Sequence, residues 1–278
     1  MTSPLRAFMV CVDYSDLLAL TLPYNVSHFK EVNIITSSKD KPNVMGVLDS
    51  MSIPSGTDIG IYETNAFYKD GAVFNKWRAL EEGLDSFGRD GWICLMDADV
   101  LWPKGLKVGE KGENLEIVAG DGYKPFTVEP GYLCSPLRRM YEDLSKVREK
   151  GVPLERDWSL CPIHRNVGEW AGYTQIFHSS DPVLEITPWH EIDFISAGTA
   201  DSFFQMKWSS IRKVRPPFEV LHLGPAGENW LGRATPYLDG SIPKEANDRK
   251  KKLREMLIKR RQNVRGDKFA GERISRGN

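Results

Sequence analysis

Two consecutive stretches constrain this fold more than any other feature. "GAVFNKWRALEEGLDSFG" (71–88) carries Val73, Trp77, Leu80, Leu84 and Phe87 at steps of 4, 3, 4 and 3, the period of an amphipathic helix. Gly88 is placed to end that helix. "GWICLMDADVLWP" (91–103) follows at once, and its apolar run from Trp92 to Met96 predicts a buried strand. A one-faced helix leading into a strand apolar on both sides is the end of a crossover between parallel strands.

The preceding seventy residues repeat this alternation. "FMVCV" (8–12), "VNIIT" (32–36) and "DIGIYE" (58–63) read as strands, and "LLALTLPYNVSHF" between the first two reads as helical. The class expected is α/β, a mixed, mostly parallel sheet flanked by helices. The second half is less regular. "LEIVAG" (115–120), "GYTQIF" (172–177) and "FEVLHLG" (218–224) read as strands, and "TADSFFQMKWSS" (199–210) as a short helix with Thr199 as N-cap. Residues 121–170 give no clean period.

With 278 residues, 41% of them hydrophobic, the chain is long enough to bury a sizeable core. No run approaches the ~20 apolar residues of a membrane span. The start, "MTSPLRAFMVCVDYSD", lacks the long apolar region and small-residue cleavage site of a signal peptide, so a cytoplasmic protein is expected. Cys11 and Cys94 fall within apolar runs, as reduced cysteines do. Cys134, Cys161 and His164 could supply three zinc ligands, but a fourth is missing. The Asn25-Val-Ser27 sequon has no meaning in a cytoplasmic chain.

Charge is unevenly spread. Residues 241–278 hold 13 Lys and Arg against 5 Asp and Glu, while the rest holds 24 against 33, for a total of −1. "EANDRKKKLREMLIKRRQ" predicts a basic C-terminal helical tail, with Leu253, Met256 and Leu257 at helical spacing. The expected division is a main domain (1–240), with a nucleotide-binding half (1–103) and an acceptor-side half (104–240), and a tail (241–278).

Asp97 and Asp99 end the buried strand. In an open α/β sheet, ligands lie beyond the carboxyl ends of the strands. Residues two apart on an extended chain face one side. Both carboxylates could therefore reach one hard divalent cation. Solvated strand-end residues are the plainer alternative.

In order along the chain, "VCVDYSD", "FNKWRALEEGL", "LMDAD", "GYTQIF", "TADSFFQMKW" and "VLHLG" resemble the metal-dependent nucleotide-sugar glycosyltransferases of the GT-A fold, over residues 8–224. "DYSDLLALTLPYN" with "FNKW" is similar to members encoded by bacteriophages. The resemblance implies glycosyl transfer from a nucleotide-diphosphate sugar, UDP-sugar first among donors, to an acceptor hydroxyl with inversion. It implies Asp99 as direct metal ligand, Asp97 on the ribose or the metal's waters, and His222 completing the shell. A histidine among oxygen ligands favours Mn²⁺ over Mg²⁺. Asp201 matches the aspartate that takes the acceptor's proton, although Ala200 replaces the usual preceding glutamate. The plainer role of Asp201 is to stabilise a helix N-terminus.

Asn75 and Lys76 are expected to meet the diphosphate, and Asp13 and Tyr14 the nucleoside. Thr36, Ser37, Glu63 and Thr64 are expected along the same edge, with Gln175 and Trp170 near the sugar or acceptor. The Gln-x-x-Arg-Trp motif of processive synthases is missing, which points to single transfers. The basic tail (Arg249, Lys250, Lys251, Lys252, Arg254, Lys259, Arg260, Arg261) could hold DNA, making a hydroxymethylated pyrimidine an acceptor alongside glycans, proteins and small molecules. The competing classes are an aspartate-dependent phosphatase or nucleotidyltransferase, and a DNA-binding protein without catalysis.

Overall fold

The computed structural model describes residues 3–120, 124–164, 170, 173–194, 196–197, 200–225, 227–256 and 258. The chain divides into two units, Met1–Pro243 and Lys244–Asn278. In the first unit β1 (Arg6–Val10), α1 (Ser15–Asn25), β2 (Glu31–Thr36), α2 (Lys41–Asp49), β3 (Asp58–Glu63), α3 (Lys76–Phe87) and β4 (Trp92–Asp97) follow in turn. Then come β5 (Val100–Leu101), β6 (Leu106–Lys111), β7 (Asn114–Ala119), β8 (Phe126–Val128), β9 (Leu133–Cys134), β10 (Leu137–Tyr141) and α4 (Leu144–Lys150). β11 (Thr174–His178), α5 (Ala200–Gln205), β12 (Lys213–Val214) and β13 (Glu219–Leu223) complete it.

The main sheet has the order β12-β9-β11-β4-β1-β2-β3. β4, β1, β2 and β3 are parallel, and β11 runs antiparallel to β4. The mostly parallel mixed α/β architecture expected from the sequence is what the chain forms. Side chains alternate between two cores. Ala7, Met9, Cys94 and Met96 pack with α1 and α2, while Phe8, Val10, Ile93 and Leu95 pack with α3. β1 has β2 on one side and β4 on the other, so strand order reverses there. The crevice beyond the carboxyl ends of β1 and β4 is thus the topological switch point.

α3 begins later than its periodic pattern. Asn75 caps it, its Oδ1 accepting the Arg78 N–H at 3.0 Å, while Phe74 stacks on Phe67 ahead of it. Gly88, at φ 90°, ends it. Gly83 lets the helix lie close on the sheet, since a Cβ there would sit 2.5 Å from Ile35 Cγ1.

Two smaller sheets, β10-β13-β5 and β6-β7-β8, follow β4. β6 and β7 form a hairpin around Gly112, at φ 64°. Only β7 of that sheet was expected from the sequence. In the second unit residues 246–256 are helical, with Lys250, Lys251, Lys252 and Arg254 exposed. Arg249 is buried and pairs with Glu245 at 3.1 Å. Thr199, Leu257, Lys259, Arg260 and Arg261 lie outside the described residues. Among the described residues no helix is long and apolar enough to cross a membrane.

Candidate functional site

The segment after β4 is held by side chains of α1. Thr21 Oγ1 donates to Ala98 O at 2.6 Å and Asn25 Nδ2 to Val100 O at 2.7 Å. Asn25 Oδ1 accepts the Trp102 N–H at 2.9 Å, so the sequon asparagine is a buried brace. On the other side Asp97 N–H donates to Tyr173 O, and Leu223 N–H to Asp99 O at 2.9 Å. The two aspartates thus emerge from a stretch of backbone fixed by three elements.

Their environments differ. Asp97 pairs with Lys76 Nζ, from the first residue of α3, and stays partly exposed. Asp99 is 5% exposed and its Oδ1 is buried without a hydrogen-bond partner. Burial raises its pKa, the nearby His222 lowers it, and Asp97 raises it further. His222 lies opposite Val100 on β13, which brings its Nε2 to 3.5 Å from Asp99 Oδ2. His222 Nδ1 is 3.2 Å from Gly224 O. A proton on Nδ1 bonded to that carbonyl leaves the Nε2 lone pair facing a carboxylate oxygen.

Two converging acceptors and a buried partnerless oxygen fit a divalent cation. Ligands sharing one ion through bonds of about 2.1 Å stand roughly 3–3.5 Å apart. Among the described residues, however, no group of three His, Cys, Asp or Glu side chains gathers into a metal cage. Asp99 and His222 supply two positions, and a hard ion fills the rest with water and substrate oxygens. Cys134 and Cys161 lie in separate core clusters as free thiols, and with His164 they form no zinc site.

Tyr14, half-buried at the start of α1, belongs to this end of the sheet. Burial pushes its hydroxyl pKa up, and the Asp99 charge adds to the shift. Asp13, at φ 63°, turns the chain between β1 and α1. That turn is locked by Arg233, which sequence reading missed. Its fully buried guanidinium pairs with Asp16, donates to Asp13 O at 2.8 Å, and lies between the Tyr14 and Tyr237 rings. Asp201 sits in the first turn of α5, where one oxygen accepts the Ser202 N–H at 2.9 Å, and its charge reaches Arg138.

Several expected residues are occupied by structure instead. Asn75 is 1% exposed, and besides capping α3 it donates to Ile192 O and Phe194 O. Its amide is therefore unavailable to a diphosphate. Thr36 Oγ1 donates to Cys11 O, Ser37 Oγ to Asp40, and Thr64 Oγ1 to Glu82. Glu63 pairs with Lys41 at 3.0 Å on β3, the outermost strand. Gln175 is fully buried, and its Nε2 donates to Trp170 O at 2.8 Å.

The second missed residue is Arg138, on β10. Its pair is Val220, two residues before His222, so Arg138 and His222 share a face of that sheet. Its guanidinium lies 4.3 Å over the Tyr173 ring. Burial lowers its pKa against the opposing pull of Tyr173, Asp97, Asp99 and Asp201.

No protein-family model matches the chain, and no curated protein matches it. Among solved structures it is similar to the inositol-1-phosphate CTP transferase from T. maritima, at 9% identity and TM-score 0.42, over 81% of this chain and 91% of that one. It is also similar to the 4-diphosphocytidyl-2C-methyl-D-erythritol synthase from Anaerococcus prevotii DSM 20548, at 10% identity and TM-score 0.36, with the same coverage. At this similarity the chemistry of those enzymes does not transfer to this chain.

Proposed function

We propose that this chain is a metal-dependent transferase that uses a nucleotide-diphosphate substrate, and that it transfers a sugar from a nucleotide-sugar to an acceptor hydroxyl. The observation that carries the reading is Asp99. Its buried, partnerless Oδ1 and its facing of His222 Nε2 at 3.5 Å occur at the switch point of the sheet. A divalent cation held by Asp99 and His222, Mn²⁺ first for a mixed nitrogen–oxygen set, would supply Lewis-acid stabilisation of a departing diphosphate.

The chain's own groups account for the rest. Asp97 and Lys76 form a polar pair beside Asp99. Lys76 can turn from Asp97 to a phosphate oxygen, as a lysine at a helix start is suited to do. Tyr14 offers a ring for the nucleoside. Asp201 is the carboxylate we assign to take the acceptor's proton, worth about 10²–10⁴ in rate.

Nucleotidyl transfer is the second reading, because the same cations would stabilise departing pyrophosphate from a nucleoside triphosphate. What favours sugar transfer is the run of motifs, ending in "LMDAD" and "VLHLG", that resembles nucleotide-sugar glycosyltransferases. Incubation with a panel of nucleotide-sugars and Mn²⁺, beside a panel of nucleoside triphosphates, separates the two. Release of nucleoside diphosphate that stops on chelation is expected. Pyrophosphate release from triphosphates, without turnover of nucleotide-sugars, would overturn sugar transfer. Acceptors in the panel include hydroxymethylated DNA, glycans and small alcohols.

A further inference from the structure

Buried cations in folded proteins are paired, because an unpaired one costs several kcal/mol of lost hydration. Arg233 obeys this rule with a carboxylate and three backbone carbonyls. Arg139, the partly exposed neighbour of Arg138 on β10, is paired as well. It makes a forked pair with Glu219 at 2.7 and 2.9 Å and donates to Cys161 O. Arg138 does not. Its Nε is buried with no hydrogen-bond partner, and among the described residues its close contact is the Tyr173 ring at 4.3 Å.

Tyr173 connects Arg138 to the site, since its carbonyl accepts the Asp97 N–H at 3.1 Å. Lys76 approaches the same aspartate from α3. Two cations therefore reach the Asp97–Asp99 end of β4 from two different elements. Lys76 is paired, whereas the donors of Arg138 are left over. Planar guanidinium donors match phosphate oxygens in a forked geometry, and stacking on a ring pre-orients the fork.

We propose that Arg138 is an anion-binding residue that holds the diphosphate of the bound nucleotide, opposite in origin to Lys76 and independent of the metal ligands. The proposal rests on the reading of this site as one that binds a nucleotide diphosphate.

The test measures two ligands on the full-length protein. Mn²⁺ binding is followed by electron paramagnetic resonance, and inorganic pyrophosphate binding at saturating Mn²⁺ by calorimetry. Arg138→Gln is expected to weaken pyrophosphate by about ten- to a hundredfold, as loss of a charge-assisted bond does. The same change removes a positive charge near Asp97 and Asp99, so Mn²⁺ alone should bind as tightly or more tightly. Arg138→Lys keeps the charge but loses the fork, and should fall between the two. It serves alone if the glutamine variant does not fold.

Unchanged pyrophosphate affinity in both variants would overturn the proposal while leaving the nucleotide reading intact. Equal weakening of Mn²⁺ and pyrophosphate would also overturn it, because that marks a structural role. A wild-type protein that binds neither Mn²⁺ nor pyrophosphate would overturn the nucleotide reading together with it.

Discussion

Glu81 and His190 meet at 2.5 Å in one part of this molecule, and Asp99 and His222 face each other at 3.5 Å in another. Both pairs are buried. In the first, Glu81 also accepts the His190 N–H at 2.9 Å, the Trp189 N–H at 3.1 Å and Arg89 Nη2 at 2.7 Å. The His190 ring is stacked between Trp77 at 4.6 Å and Phe204 at 4.1 Å. His190, Arg89 and the backbone hydrogen bond outweigh burial there, and the Glu81 pKa falls. In the second, one carboxylate oxygen has no partner and burial prevails, so the Asp99 pKa rises. A carboxylate with its acceptors filled ties α3 to residues 189–190. One with an acceptor open, at the switch point of a sheet, suits the ligand role proposed for Asp99.

The largest expected effect breaks the second pair. Asp99→Asn should reduce metal-dependent turnover by about a thousandfold or more, the several kcal/mol that a Lewis acid supplies. It should not lower the melting temperature, because it removes a poorly satisfied buried charge. A clear loss of stability with turnover retained would make Asp99 a structural residue like Glu81.

Glu81→Ala should do the reverse. It leaves two N–H groups and a buried imidazole without their partner, and Arg89 with Asp85 alone, at a cost of about 3–5 kcal/mol of stability. Urea unfolding measures that directly. Mn²⁺ affinity of the folded fraction should be unchanged, and a parallel loss would mean that the two pairs are coupled.

A third imidazole sharpens the contrast. His28 is buried, with Nδ1 3.2 Å from Leu106 O, Trp102 beside the ring, and no partner on Nε2. Burial lowers its pKa from 6.5 to about 4. The folded protein keeps it neutral while the unfolded chain takes up a proton near pH 6.5. Its contribution is therefore full above pH 6.5 and is lost as pH falls toward 4, a difference of about 3 kcal/mol. Subtracting the unfolding free energies of wild type and His28→Phe across pH 7 to 4 isolates it. A difference that does not change with pH would show that His28 is not held neutral.

What the sequence made legible follows the same division. β1 to β4 and α3 could be read because each is long enough to show its period, and DIGIYE coincides with β3. β9 and β12 have two residues each, too few for any periodic pattern. β6 escaped because only Leu106, Val108 and Gly109 are buried among exposed charges. Lys76, Asp97 and Asp99 were expected near one another from their place around β4 and His222 from the family resemblance, and Asp97 pairs with Lys76 while Asp99 faces His222. Asn75 could not be judged, since a capping asparagine and a ligand-binding one look alike until Ile192 and Phe194 come into contact with it. In "LRRMY" nothing in the sequence separates the two arginines, and only the register with β13 shows that they lie on opposite faces, with Arg139 paired to Glu219.

Lys76→Gln is the smallest expected effect and the one that tests the Asp97 side of the site. Its pair with Asp97 is partly exposed, at 15% and 31% of the two side chains, so a purely structural role is worth at most about 1 kcal/mol. A lysine that moves from Asp97 to a phosphate contributes through substrate instead, and about a tenfold rise in KM for the nucleotide substrate is expected. The unfolding free energy should then barely change. If stability falls and KM does not, the Lys76–Asp97 pair is a small relative of Glu81–His190, and the phosphate contact must be sought elsewhere on the β4 edge. If KM rises alone, Lys76 belongs with Asp99 and His222 among the groups whose partner is the ligand.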